Sequence, residues 1–180
     1  MGLSKVRVHI KVSDDKMQKE IEQFIKEFPS TVMGEELEDV PEEFREMMSM
    51  PGSDICRENP EEFVYKNGLL STDRIGFENF EEAGKEISRV YKTPVMATFV
   101  FDSDIASIQV YQNGQIVLEE FYSLSEEYGM KKSMDKGKFI EMFGFACSTE
   151  ELEEIFAMEN VIFAEEILQK AGEQIGIALI

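Results

Sequence analysis

From Pro94 to Tyr122 the hydrophobic and polar positions read strand, Asp-Ser-Asp, strand, Asn-Gly, strand, a pattern that predicts a β-meander. Val95, Met96, Ala97, Thr98, Phe99, Val100 and Phe101 form a nearly continuous apolar run, too short for a helix and rich in β-branched and aromatic residues. Such a run is expected to lie centrally in a sheet, buried on both faces. In the next segment Ala106, Ile108 and Val110 alternate with Ser107, Gln109 and Tyr111, the spacing of a half-buried strand. Asn113-Gly114 supplies the positive φ angles of a type I′ turn, and Ile116 to Tyr122 returns as the partner strand.

The N-terminal segment alternates strictly. Val6, Val8, Ile10 and Val12 define a dry face, and Lys5, Arg7, His9 and Lys11 a basic face expected to be wet or covered by an acidic helix. Ser13 is the expected cap of a helix with Asp14 and Asp15 in its first turn, a core stripe of Met17, Ile21, Phe24, Ile25 and Phe28, and a stop at Pro29. From Thr31 to Pro60 the apolar residues Leu37, Val40, Phe44, Met47 and Met48 keep roughly helical spacing among many acids, followed by a Pro51-Gly52 turn and a helix start at Asn59-Pro60. Arg74 to Glu78 reads as a strand, and Asn79 with Glu82 as a capping box for a helix whose stripe is Phe80, Ala83, Ile87, Val90 and Tyr91.

Beyond Tyr122 the periodicity is helical. Phe139, Ile140 and Phe143 mark a short helix, Ser148 with Glu151 a capping box ahead of Leu152, Ile155 and Phe156, and Ala164, Ile167, Leu168, Ala171 and Ile175, with Phe163, the stripe of a last helix. These elements predict an α+β fold: a largely antiparallel sheet built on a central β-meander, with amphipathic helices packed on it and a helical C-terminus. The first strand can join either edge of the meander. At 180 residues the chain reads as one domain over 1–180, with 31–60 an acidic helical insertion or flexible lobe.

Composition narrows the function classes. With 43% hydrophobic residues and 14 Phe, the chain has enough apolar surface to form a core. The 37 acids outnumber the 18 Lys and Arg residues, and the net charge of −19 repels nucleic-acid backbones and anionic membranes while attracting cationic partners. Cys56 and Cys147 lie far apart with no metal-ligand spacing, and read as reduced thiols. No secretory h-region or membrane-spanning run is apparent, so a cytoplasmic location is expected.

Asn67-Gly68, the capped helix Phe80 to Tyr91, Thr93-Pro94-Val95, Phe101-Asp102-Ser103-Asp104, Tyr111 with Asn113-Gly114, and Phe163-Ala164-Glu165-Glu166 before Ile175-Gly176-Ile177 together resemble an uncharacterised family of small acidic bacterial proteins. The resemblance covers roughly the C-terminal two-thirds of the chain. It implies a shared fold and brings no catalytic residues. Residues 31–60 do not match the pattern.

Four candidate sites follow. Glu35, Glu36, Glu38, Asp39, Glu42, Glu43 and Glu46 form one acidic block, and Glu150, Glu151, Glu153 and Glu154 begin a second that runs to Glu166. Two acidic helical faces of this kind would clamp a basic protein, steering association and mimicking a phosphate chain, although charge runs are often only solvated helix faces. Asp102 and Asp104, at the end of a buried strand, are a candidate pair for a hard cation or acid/base work; Asp and Ser are also ordinary turn-formers. Met47, Met48 and Met50 would offer an adaptable contact surface, and Lys131, Lys132, Lys136 and Lys138 a loop that binds an anion or offsets nearby acids. His9 is the sole histidine and has no nucleophile motif near it.

The expectation is therefore a cytoplasmic, non-enzymatic binding protein, without cofactor, whose acidic surface recognises a cationic protein. Immunity against a nucleic-acid-targeting toxin is one concrete version. A metal-dependent hydrolase using Asp102 and Asp104, or a regulatory module with a small-ligand pocket, are the alternatives.

Overall fold

The computed structural model describes residues 2–28, 63–124 and 132–180. The expected insertion at 31–60, its acidic block and its methionines lie outside the described residues, as do Cys56 and Lys131. Strand β1 (Lys5–Lys11) leads into helix α1 (Asp15–Glu27). Strands β2 (Val64–Lys66) and β3 (Leu69–Thr72) precede α2 (Phe80–Val90), and the meander follows as β4 (Val95–Phe101), β5 (Ile105–Gln112) and β6 (Gln115–Ser123). Helices α3 (Lys136–Phe143), α4 (Thr149–Phe156) and α5 (Glu165–Ile175) complete the described elements.

All strands join one six-stranded sheet in the order β2-β3-β1-β4-β5-β6, and every neighbouring pair is antiparallel. The meander forms as expected, with Asn113 and Gly114 at φ 53° and 81° in the β5–β6 turn. β1 joins the β4 edge, Val8 opposite Ala97. The fold is α+β with a helical C-terminus.

Helices cover both faces of the sheet. On the first face α1 and α2 pack Ile21, Ile25, Ala83 and Ile87 against Val6, Val8, Ile10, Ala97 and Tyr111. On the second, α3, α4 and α5 pack Phe139, Leu152, Leu168 and Ala171 against Met96, Val100, Ile108 and Val110. Consequently β1, β4 and β5 are buried on both sides, whereas alternation had predicted half-buried strands at β1 and β5. The odd positions of β1 lie under the second helical layer because their polar groups are all satisfied there. Arg7 makes a bidentate pair with Asp73 (2.5 and 2.9 Å), Lys11 donates to the Met142 carbonyl at the end of α3 (2.8 Å), and His9 lies between the hydroxyls of Ser71 and Thr98. Among the described residues, the cover is therefore α3 and the segment after α5.

Other boundaries also moved. Arg74 to Glu78 is not a strand; the strand is Leu69–Thr72, paired with Val64–Lys66 through an Asn67-Gly68 turn with φ 53° and 77°. The cap of α1 is Asp14, whose carboxylate accepts from the Met17 amide, one residue beyond Ser13. No side-chain hydrogen bond caps α2, so the Asn79–Glu82 box does not form; the box at Ser148 and Glu151 does.

Helix α2 approaches the sheet closely at Gly84, where an added Cβ would fall 2.6 Å from the buried Tyr111 ring. Gly84→Ala is therefore expected to destabilise the protein by about 1–3 kcal/mol through overpacking, although Ala is the better helix former. Urea unfolding of the two proteins measures it.

Candidate binding surface on the C-terminal helical layer

Between Lys138 and Lys170 the chain carries no Lys or Arg, while Glu141, Glu150, Glu151, Glu153, Glu154, Glu159, Glu165 and Glu166 all fall in that interval. The fold gathers most of these acids onto α4, the α4–α5 connection and the start of α5. The other helical layer differs, because α1 and α2 offset acids within single helices through Lys16–Glu20, Lys85–Glu81 and Arg89–Glu86. On α4 there is no base to do so.

Some of these acids work for the fold. Glu151 accepts from the Ser148 amide at 2.8 Å, while its own amide donates to the Ser148 hydroxyl at 3.2 Å. Glu166 accepts from the amides of Ile162 and Phe163, both at 3.0 Å, and fastens the α4–α5 connection. Glu165 accepts from the Ser103 hydroxyl at 3.0 Å, and its second oxygen is buried with no hydrogen-bond partner among the described residues. Glu150, Glu153, Glu154 and Glu159 remain exposed, with no base paired to them among the described residues.

Alongside the exposed acids lies apolar surface. Glu151, Glu154, Ile155, Met158 and Gln174 line an open groove of about 390 Å³ between α4 and α5, with the Lys170 ammonium against the Met158 sulfur at 3.4 Å. The connection above it presents Ile162, 76% exposed, and Phe163, 51% exposed. Phe163, expected in the core stripe of α5, faces outward instead. Ser148→Ala is expected to cost about 1 kcal/mol by removing the cap of α4, again read by urea unfolding.

Asp102 and Asp104 occupy the β4–β5 turn, where Asp102 and Ser103 take left-handed φ values of 48° and 58°. Asp102 is exposed and accepts from the Gly2 amide at 2.8 Å; the Ser103 hydroxyl accepts from the Leu3 amide at 2.7 Å, and its carbonyl accepts from the Ala164 amide at 2.8 Å. The turn thus ties the N-terminal segment to the start of α5. Among the described residues, no group of three His, Cys, Asp or Glu side chains is placed to hold a metal ion.

Of the described lysines of the cluster, Lys132 and Lys138 are exposed and Lys136 is not. Lys136 is buried, bonded to Glu120 at 2.5 Å and to the Ser133 hydroxyl at 2.8 Å, and Lys132 pairs with Glu119. Cys147 is a free, partly buried thiol; burial, then the nearby Glu151 charge, pushes its pKa up and keeps it protonated at neutral pH. His9 is not on a wet face. It is fully buried, and burial, then the Arg7 charge, lowers its pKa to about 3. Ser71, opposite it on β3, and Thr98, diagonal to it on β4, carried the clue in the sequence, but only once the strand order is known.

Among the described residues no helix is long and apolar enough to cross a membrane. Comparison of the chain with protein-family models, with curated proteins and with solved structures gives no match. The resemblance to small acidic bacterial proteins gains no support from them, and function rests on the surface itself.

Proposed function

We propose that this protein is a non-enzymatic binding protein whose C-terminal helical layer recognises a cationic protein partner. The observation that carries this reading is the stretch between Lys138 and Lys170, free of basic residues and folded so that Glu150, Glu153, Glu154 and Glu159 stay exposed beside Ile155, Met158, Ile162 and Phe163. Carboxylates of one sign steer a basic surface in and set its orientation, and apolar residues among them supply the affinity that screened charges do not. Immunity against a nucleic-acid-targeting toxin fits this chemistry, because the same carboxylates would occupy Lys and Arg side chains that hold phosphates.

The test is a capture experiment from the native host with the full chain and with a Glu150→Gln/Glu153→Gln/Glu154→Gln variant, which spares the capping Glu151. A specific partner is retained by the unaltered protein at about 0.05 M salt, released at about 0.5 M, and not retained by the variant. Equal recovery by both proteins contradicts the proposal.

A further inference from the structure

The β4–β5 turn is fastened from two sides. From the N-terminal side, the Gly2 amide donates to Asp102 Oδ1 (2.8 Å) and the Ser4 hydroxyl accepts from the Asp102 amide (3.0 Å). Leu3 brackets Ser103, its carbonyl accepting from the Ser103 amide (2.9 Å) and its amide donating to the Ser103 hydroxyl (2.7 Å). From the side of α5, the Ala164 amide donates to the Ser103 carbonyl (2.8 Å), and Glu165 accepts from the Ser103 hydroxyl (3.0 Å). Both sides meet on Ser103. Its hydroxyl accepts from Leu3 and passes its one proton to Glu165, so each of these bonds polarises the other.

The turn does not keep its shape by backbone preference. Asp102 and Ser103 are consecutive non-glycine residues at φ 48° and 58°, a conformation in which Cβ crowds the following carbonyl and which persists only where the surroundings impose it. Residues 2–4 supply most of the bonds that impose it. Gly2 can lie there only because it has no side chain, since a Cβ would fall 2.2 Å from the Asp102 carbonyl oxygen. On the other side of the turn, the chain held by Ser103 is the junction between the exposed Ile162 and Phe163 and the first turn of α5.

We propose that residues 2–4 are a clasp that sets the presentation of Ile162 and Phe163, with Ser103 as the positioning residue between the two. This regulation rests on the binding surface proposed above. While the clasp is seated, the left-handed turn is held, and the Ser103 carbonyl and hydroxyl stay aimed at Ala164 and Glu165. When it lifts, the turn relaxes toward negative φ and both aims are lost, which frees the start of α5 and the two apolar side chains ahead of it. Coupling of this kind is reciprocal. A partner that fixes Ile162 and Phe163 also tightens residues 2–4, and whatever draws residues 2–4 away weakens the partner's hold by the same factor. The clasp is open to such control, because Gly2, Leu3 and Ser4 all lie at the surface.

Hydrogen exchange of single amides, read by NMR on the full chain, follows both ends. Gly2→Ala unseats the clasp without touching α5. It is expected to raise exchange of the Ala164 amide about tenfold, the equivalent of one or two hydrogen bonds, while the amides of β5 and α4 keep their protection. Glu165→Ala removes the acceptor at the other end and is expected to raise exchange of the Asp102 and Ser103 amides, which Ser4 and Leu3 hold, by a similar factor. Ser103→Gly separates positioning from general support, because glycine takes the left-handed conformation without strain and has no hydroxyl to relay. In that background Gly2→Ala is expected to add nothing at Ala164. An unchanged Ala164 amide in Gly2→Ala, exchange rising equally through β5 and α4, unchanged Asp102 and Ser103 amides in Glu165→Ala, or the same rise in the Ser103→Gly background would each overturn the clasp. These readings are taken on the protein alone, so uncoupled ends overturn the clasp and leave the binding surface standing. Equal capture by the unaltered protein and the glutamine variant overturns the binding surface and leaves the coupling standing.

Discussion

Glu120→Ala is expected to destabilise the protein by about 3–5 kcal/mol, the usual cost of stranding one member of a buried ion pair. Glu120 lies on β6 facing the second helical layer, where a single oxygen accepts from the Lys136 ammonium at 2.5 Å and from the Met134 amide at 2.8 Å. Both side chains are nearly inaccessible, at 7% and 5%. The ammonium also sits 5.1 Å from the centre of the Phe156 ring, so one cluster joins β6, α3 and α4. Removing the carboxylate leaves a buried cation with the Ser133 hydroxyl and a ring face as its remaining company. Replacing both partners by apolar residues, as in Glu120→Leu/Lys136→Met, is expected to cost far less than the sum of the single changes, because no unpaired charge remains. Thermal unfolding of Glu120→Ala, of the double variant and of its two single changes measures this, at about 2–4 °C per kcal/mol for a chain of this size.

Leu152→Ala is expected to cost about 2–5 kcal/mol and to weaken partner binding without altering a single charge. Leu152 is the one fully buried side chain of α4, so the helix that bears Glu150, Glu153 and Glu154 is fastened to the core chiefly through it. A cavity there frees α4 to shift against α5 and spoils the groove lined by Ile155 and Met158. Urea unfolding gives the stability change, and the captured partner's affinity gives the functional one. Unchanged affinity would mean that charge alone, without its placement, accounts for binding.

The meander was legible because its signals are local: a seven-residue apolar run, an alternating strand and an Asn-Gly turn each dictate their own backbone. β3 was not, since Leu69-Leu70-Ser71-Thr72 has neither alternation nor length, and only the Asn67-Gly68 turn announces a hairpin there. The basic face of β1 misled for a different reason. Arg7 and His9 look solvated by type, and their burial depends on Asp73, Ser71, Thr98 and the Ala178 carbonyl, partners 62 to 171 residues away. Of the candidate sites, the acids of α4 could be read directly, because a capping box and the absence of Lys and Arg are both visible in sequence. Which of those acids serve the fold and which remain for a partner depends on where the backbone amides of residues 148, 162 and 163 point, and that emerges only in three dimensions.

The most direct measurement is the association rate of the captured partner as a function of ionic strength, for the unaltered protein and for Glu150→Gln/Glu153→Gln/Glu154→Gln. If the exposed face of α4 steers the encounter, the rate falls steeply with salt for the unaltered protein, and the variant starts about tenfold slower at low salt with a shallower dependence. Identical rates and identical salt slopes for the two proteins would contradict the assignment of binding to this surface.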